Sequence, residues 1–315
     1  MAARSVIIPF DADFDREVFD ETACVFGVFD GVHKGHRFII EDAVARAQRE
    51  GTKSVIITFD RDPDELFGAP DFRKLMSNER RIETLATLGA DAVVVLPFDE
   101  KLAAVDALAF LERTFGTVAP ATMHVGSDFR FGAKAAGDVG TLRFWADRSG
   151  TEVLAYSLET LDDMPITSTR IRKLLANPNE GSVEQATELL GEPFTVRGTI
   201  EHGRGDGRDF GIRTANMRVP DELLPIANGV YAAEAMVEGK RYPAAVNVGV
   251  ALTFEDESTA NIEAHLLDFD QEVYGQPMEL RFLHFLRPMK RFESTEELIA
   301  TITADIEKTR ELVRV

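Results

Sequence analysis

Two histidines, His33 and His36, stand where an apolar run turns through glycines into a helical pattern; Cys24 to Ile40 reads CVFGVFDGVHKGHRFII. Their spacing puts both imidazoles on one face of the helix. The junction of strand, Gly-rich turn and helix start leaves backbone N–H groups unpaired, and the helix dipole adds partial positive charge there. Such a place is a natural seat for phosphate. Two imidazoles and free amides around one point suit a triphosphate whose charge rises during reaction. Gly35, between the histidines, lets a phosphate approach the backbone closely. Gly27, Gly31 and Gly35 alone also fit a turn with no ligand; the HxGH spacing at the helix start is what favours phosphate.

Four further stretches carry reactive side chains. In HVGSDFRFG (124–132), Phe129 and Phe131 suit either a cover over an aromatic ligand or simple packing, and spacing alone favours the core. In ITSTRIRKLL (166–175), Ser168 or Thr169 is a good N-cap, and Arg170, Arg172 and Lys173 fall in the first turn. Cations there oppose the helix dipole, and a docked anion would offset the cost; a solvated basic face fits the pattern equally well. HGRGDGRDFGIRTAN (202–216) holds Gly203, Gly205, Gly207 and Gly211, whose amides suit phosphates, and Thr214 and Asn216, whose oxygens suit Mg²⁺. A long surface hairpin has the same composition. In NIEAHLLDF, alternation puts Ile262, Ala264 and Leu266 on one face and Glu263 and His265 on the other. A charged residue on an outer face is ordinarily just solvated.

The elements that must position these residues fall into two patterns. Up to about residue 158 strand and helix alternate: SVIITF (54–59) and DAVVVLPF (91–98) are continuous apolar runs, typical of parallel strands buried on both faces. His33 to Arg49 reads as an amphipathic helix with Phe38, Ile39, Ala43, Val44 and Ala47 inward, stopped by Gly51. The fold expected is α/β, a doubly wound, Rossmann-like parallel sheet with ligands beyond the carboxyl ends of its strands. Asn, Pro and Gly near 177–181 mark a boundary between about 180 and 193. Beyond it, period-two alternation, a hairpin turning near Glu238 and Gly239, and a final helix opened by Ser294 and Glu297 suggest a closed antiparallel β-barrel plus terminal helix. The domains expected are residues 1–186 and 187–315.

The totals bound the partners. The chain has 315 residues, one cysteine and a net charge of −19. That charge disfavours nucleic acid and anionic membranes as partners. No apolar run is long enough to span a bilayer, and the start lacks a secretory h-region. A lone Cys24 in an apolar run fits a reducing cytoplasm.

GVFDGVHKGH resembles the G-x-F-D-G-x-H-x-G-H signature of nucleotidyltransferases, and within them the adenylyltransferase module of prokaryotic FAD synthetases, which join riboflavin kinase to FMN adenylyltransferase. The resemblance implies that His33 and His36 act in adenylyl transfer and that Gly27, Phe29, Asp30, Gly31 and Gly35 bind ATP. HVGSDFRFG is similar to the family's G-x-D/N-F-x-F-G segment, which implies flavin contacts for Asp128, Phe129 and Phe131. ITSTRIR looks like its S-S-T-x-I-R motif, so Ser168, Thr169 and Arg172 would bind ATP phosphates. The 202–216 loop resembles the riboflavin kinase pattern ending in P-T-A-N, with Arg213 in place of proline; Gly203, Gly205 and Gly207 would bind ATP, and Thr214 and Asn216 Mg²⁺. NIEAHLLDF matches V-E-x-H-x-x-D-F, whose Glu is the general base on the ribityl hydroxyl, here Glu263. Departures are Arg61 and Asp62 within TFDRDP, where the family has F-x-P-H-P, Leu252, and Met289 where Glu is usual. Implied together are ATP-dependent phosphorylation of riboflavin to FMN and adenylylation of FMN to FAD with release of pyrophosphate, with ADP the other product. Alternatives are a single working module, which Asp62 or Arg213 would explain, and a non-catalytic flavin- or nucleotide-binding regulator.

Overall fold

Ala23, Cys24, Val25 and Phe26 are all buried, as a strand must be when helices cover both faces of its sheet. The computed structural model describes residues 5–68, 71–179, 181–202, 212–249 and 261–315, which separate into two compact units. Unit one is residues 1–72 and 77–167; unit two is residues 73–76 and 168–315.

The strands of unit one are β1 (Val6–Pro9), β2 (Ala23–Phe26), β3 (Ser54–Phe59), β4 (Ala92–Leu96), β5 (Thr122–Gly126) and β6 (Glu152–Tyr156), with a short hairpin of β7 (Thr160–Leu161) and β8 (Met164–Pro165). The first six form one sheet in the order β1-β4-β3-β2-β5-β6, and every pair is parallel. The chain leaves β2 toward β3 on one side and later places β5 on the other. The carboxyl ends of β2 and β5 therefore flank the topological switch point, where open α/β sheets bind ligands. Helices α1 (Lys34–Glu50), α2 (Asp64–Phe67), α3 (Asn78–Leu85), α4 (Glu100–Ala103), α5 (Ala107–Phe115) and α6 (Val139–Ser149) connect these strands. A core rich in phenylalanine, with Phe19, Phe26, Phe59, Phe110, Phe115 and Phe131, fills the space between sheet and helices.

The inward face of α1 differs from expectation at one residue. Phe38 is 44% exposed, while Ile40, Ala43 and Ala47 are buried. At 100° per residue, Phe38 and Ile40 cannot share a face. Phe38 instead lies edge-on to Tyr156 of β6.

Unit two holds α7 (Ser168–Ala176), α8 (Ser182–Leu190) and the strands β9 (Phe194–Glu201), β10 (Ala215–Arg218), β11 (Gly229–Val237), β12 (Lys240–Gly249), β13 (Asn261–Leu266) and β14 (Pro277–Arg287). These strands close into an antiparallel barrel in the order β10-β13-β12-β11-β14-β9. Closure removes both sheet edges. The turn between β11 and β12 is made by Glu238 (φ 49°) and Gly239 (φ 75°), both positive, as a two-residue type I′ hairpin requires. The last helix, α9 (Thr295–Leu312), is capped by Ser294, whose hydroxyl accepts from the Glu297 N–H at 3.1 Å. It packs on β11 and β12, and Asp305 takes a two-pronged contact from Arg287, with Nη2 at 2.8 Å and Nε at 3.0 Å from Oδ2. The helices α7 and α8 pack on each other and α8 on β14, so both gather with the barrel. Ser168 and Thr169 are the first residues of α7 rather than the residue that precedes it.

Candidate active sites

Unit one builds its site where β2 hands over to α1. The Gly27 N–H donates to Ile57 O at 3.2 Å, which carries the pairing with β3 one residue past the strand. The chain then turns with Phe29 at φ 63°, Gly31 at φ 79° and Val32 at φ 40°. Two non-glycine residues in the left-handed region, one of them β-branched, mark a strained turn. A Cβ on Gly27 would sit 2.8 Å from the Phe29 ring, so the turn closes only on glycine. The N-cap of α1 is His33, whose Nδ1 accepts from the His36 N–H at 3.3 Å. That bond orients the ring and brings the two imidazoles into a stack, 3.6 Å between centroids and 16° between planes. The Phe29 ring stands edge-on to His36 at 5.3 Å. Asp30 and His33 are buried.

This packing decides the charge of His36. Burial, then the neighbouring His33 and Arg81, hold its pKa well below the ordinary imidazole value. His36 is therefore neutral at pH 7. Its Nδ1 is buried and, among the described residues, makes no hydrogen bond. A buried polar atom in that condition costs free energy until a ligand supplies a partner.

Across the switch point, Asp128 is exposed and Phe129 half-buried in the turn that follows β5. The Phe129 N–H donates to Gly126 O at 3.0 Å. Phe131 is 6% exposed and lies in the core between Phe110 and Phe129. Of the two rings, Phe129 alone keeps accessible surface. Phe129 also packs on Phe26 of β2, so the two loops share one aromatic floor.

Arg61 and Asp62 are the two departures within TFDRDP. In the structure Arg61 is exposed, and the cation whose charge acts on Asp62 is Arg81. Arg81 is 1% exposed, and its guanidinium donates to Val28 O, Thr58 Oγ1, Phe59 O and Asn78 Oδ1. Asp62 is 4% exposed, and its Oδ1 accepts from the Asp64 N–H. Burial pushes its carboxyl up to about 6, with Asp30 and Asp64 adding to the rise and Arg81 opposing it.

In unit two, strand register aligns a polar row along the outer face of the barrel. Asn216 of β10 lies opposite Glu201 of β9 on one side and Glu263 of β13 on the other, and Glu263 lies opposite Asn247 of β12. Directly opposed residues share a face, so Asn216, Glu263 and Asn247 stand side by side, each half-buried. Ile262, Ala264 and Leu266 point inward, as alternation required. The position of Asn247 in this row could not be read from sequence, because only register reveals it. Thr214 lies two residues before Asn216. The Arg213 side chain pairs with Asp270, while the Arg213 carbonyl accepts from His265 Nδ1–H at 2.8 Å. Met289 packs against Gly249, where a Cβ would lie 3.3 Å from the methionine methyl. Gly203, Gly205, Gly207, Gly211 and Leu252 lie outside the described residues. Ser168, Thr169 and Arg172 sit in the first turns of α7, and Arg172 Nε donates to Arg73 O at 2.8 Å.

Among the described residues no helix is long and apolar enough to cross a membrane. The family model for FAD synthetase matches residues 15–170, and the model for riboflavin kinase matches residues 190–313. The bifunctional riboflavin kinase/FMN adenylyltransferase of Listeria monocytogenes is 33% identical over 286 residues, which are 90% of each chain. The Escherichia coli protein of the same description is 31% identical over 296 residues, 92% of this chain and 93% of that one. A crystal structure described as a macrolide-efflux protein from Streptococcus pneumoniae is similar at a TM-score of 0.82 and 28% identity, covering 97% of this chain and 99% of that one. With both models matched in order and relatives aligned along nine-tenths of their length, the chain belongs to the bifunctional riboflavin kinase/FMN adenylyltransferase family.

Proposed function

We propose that the chain makes FAD in two ATP-dependent steps, the barrel unit phosphorylating riboflavin and the parallel-sheet unit adenylylating the FMN formed. The observation that carries this reading is the pair of sites, a stacked His33–His36 couple at a helix N-terminus and a glutamate set between two asparagines on a barrel face. The boundary proposed is 186/187, in the stretch 171–189 between the spans of the two family models, while the compact units divide after Thr167 and α8 runs across 186/187.

In the kinase step Glu263 takes the proton of the terminal ribityl hydroxyl. The hydroxyl oxygen bonds to the γ-phosphorus of ATP, and the bond to ADP breaks. Asn216 and Asn247 flank Glu263 across the register of β10, β13 and β12. Gly203, Gly205 and Gly207 supply amides to the ATP phosphates. The oxygens of Thr214 and Asn216 fit Mg²⁺, a hard ion that keeps several waters and takes few protein ligands. When bound, Mg²⁺ neutralises charge on the β- and γ-phosphates.

In the adenylylation step a phosphate oxygen of FMN bonds to the α-phosphorus of a second ATP, and pyrophosphate leaves with the bonding electrons. Charge grows on the leaving group. The amides at the start of α1, with Gly27, Phe29, Asp30, Gly31 and Gly35 shaping the turn, and the ring N–H groups of His33 and His36 stabilise it. Ser168, Thr169 and Arg172 bind ATP phosphates in the same step. Asp128 and Phe129 face the flavin, and Phe131 backs them from the core. No covalent enzyme intermediate is needed. The acidic net charge disfavours nucleic acid as a partner, and the buried lone thiol of Cys24 fits a cytoplasmic setting.

The test is a pair of substitutions in one chain. His36→Asn abolishes FAD formation from FMN and leaves FMN formation from riboflavin intact; Glu263→Gln does the reverse. If either substitution depresses both steps equally in a folded protein, the division of labour is wrong.

A further inference from the structure

We infer that Arg81, on α3, is a positioning residue for adenylyl transfer, its buried guanidinium fixing the strained turn between β2 and α1 on which His33 and His36 are mounted. The inference rests on the adenylyltransferase reading of unit one. Arg81 has two nitrogens at work. Nη1 donates to Val28 O at 2.6 Å and to Thr58 Oγ1 at 2.6 Å; Nη2 donates to Phe59 O at 2.8 Å and to Asn78 Oδ1 at 3.2 Å. Val28 is the residue just before the left-handed Phe29, and Phe59 ends β3, the strand beside β2. The fork therefore ties the start of the turn to its neighbouring strand. The far end of the turn is held separately, because Arg37 Nε donates to Val32 O at 3.0 Å. A turn with Phe29 and Val32 both at positive φ stays in place only if its surroundings hold it.

The charges around Arg81 form a closed set. Asp62, Asp30, Glu65 and Asp60 are the acids that act on it. Glu65 Oε1 accepts from both the Asp62 N–H at 2.9 Å and Asn78 Nδ2 at 2.7 Å, which links α2 to α3 beneath the turn. The positive charge of Arg81 lowers the pKa of Asp62 and of His36 alike. Arg81 thus fixes the geometry of the turn and adds a smaller, same-signed push, after burial, on the protonation of two groups beside it. A residue with only a packing role would do neither.

The test uses the full chain: adenylylation of FMN and phosphorylation of riboflavin are measured for wild type, Arg81→Met and Arg81→Lys, with the adenylylation rate followed from about pH 5 to about pH 9. Arg81→Met is expected to lose about 100-fold in kcat for FAD formation, with FMN formation within about twofold of wild type, because the barrel does not depend on the turn. Removing the cation raises the pKa of Asp62 and His36, so the acid limb of its pH profile moves to higher pH. Arg81→Lys keeps the charge but not the fork, and recovers less than about tenfold of the loss. A folded Arg81→Met with kcat and acid limb unchanged overturns the inference. If Arg81→Met does not fold, as Trp145 fluorescence would show, a fully active Arg81→Lys overturns it instead. A wild-type protein that makes FMN but no FAD contradicts the reading of unit one itself, and the inference falls with it.

Discussion

Replacing Asp62 with Asn removes a carboxyl that pays for its burial whenever it ionises. In the folded protein its pKa is pushed up to about 6 from an ordinary 3.8, chiefly by burial. A folded-state pKa above the unfolded one means that the folded state holds the proton more tightly. The contribution of Asp62 to stability is therefore greatest below pH 3.8 and is lost as pH rises through about 6. At about 1.4 kcal/mol per pH unit, the difference amounts to about 3 kcal/mol above pH 6. Asn keeps the oxygen that accepts the Asp64 N–H and carries no charge at any pH. Asp62→Asn is accordingly expected to stabilise unit one at pH 7.5 by about 3 kcal/mol, a rise in Tm of about 6–10 °C for a unit of this size. At pH 5 the gain falls to about half, and below about pH 4 it vanishes. The sole tryptophan, Trp145, lies in the core of unit one, so its fluorescence during heating reports that unit. A gain that does not depend on pH, or a loss of stability at pH 7.5, would refute the reasoning.

Other predictions follow from buried groups. The Cys24 thiol is pushed up to about 12 by burial, so it stays unreactive toward a disulfide reagent at pH 8 until unit one unfolds; rapid labelling of the native protein would show the burial to be wrong. Asp305→Ala strips Arg287 of its two-pronged partner and should lower the stability of the barrel unit by about 2–4 kcal/mol in urea titration, with no effect on FAD formation from added FMN. A Cβ on Gly27 meets the Phe29 ring at 2.8 Å, so Gly27→Ala should displace the turn and lower the adenylylation rate by about 10–100-fold while riboflavin phosphorylation, measured in parallel, continues.

What the sequence disclosed was what lies close together along the chain. His33, Gly35 and His36 are local, and a strand–turn–helix junction fixes them regardless of the rest. The face of Glu263 was legible because a period of two assigns faces without any partner strand, while its role as a base comes only from the resemblance to V-E-x-H-x-x-D-F. The alternation of strand and helix, then of strand and turn, carried the two fold classes for the same reason. What stayed hidden depends on distant pairing. Arg81 reads as one more cation on an amphipathic helix, because its acceptors Val28 and Phe59 lie 53 and 22 positions away. Asn247 joins Glu263 only through the register of β12 with β13. The pairing of Asp62 with Arg81 is hidden for the same reason, because 19 positions separate them along the chain. Phe38 was misplaced on α1 because an apolar side chain was assumed to be an inward one.

The central claim is that both units turn over in one chain. Its most direct test is chromatography of flavins after purified protein is incubated with ATP and Mg²⁺ and either riboflavin or FMN. FAD from both incubations is the result predicted, with FMN passing through as an intermediate in the first. FMN accumulating from riboflavin while added FMN is left unchanged would contradict it, as would FAD from FMN with riboflavin untouched.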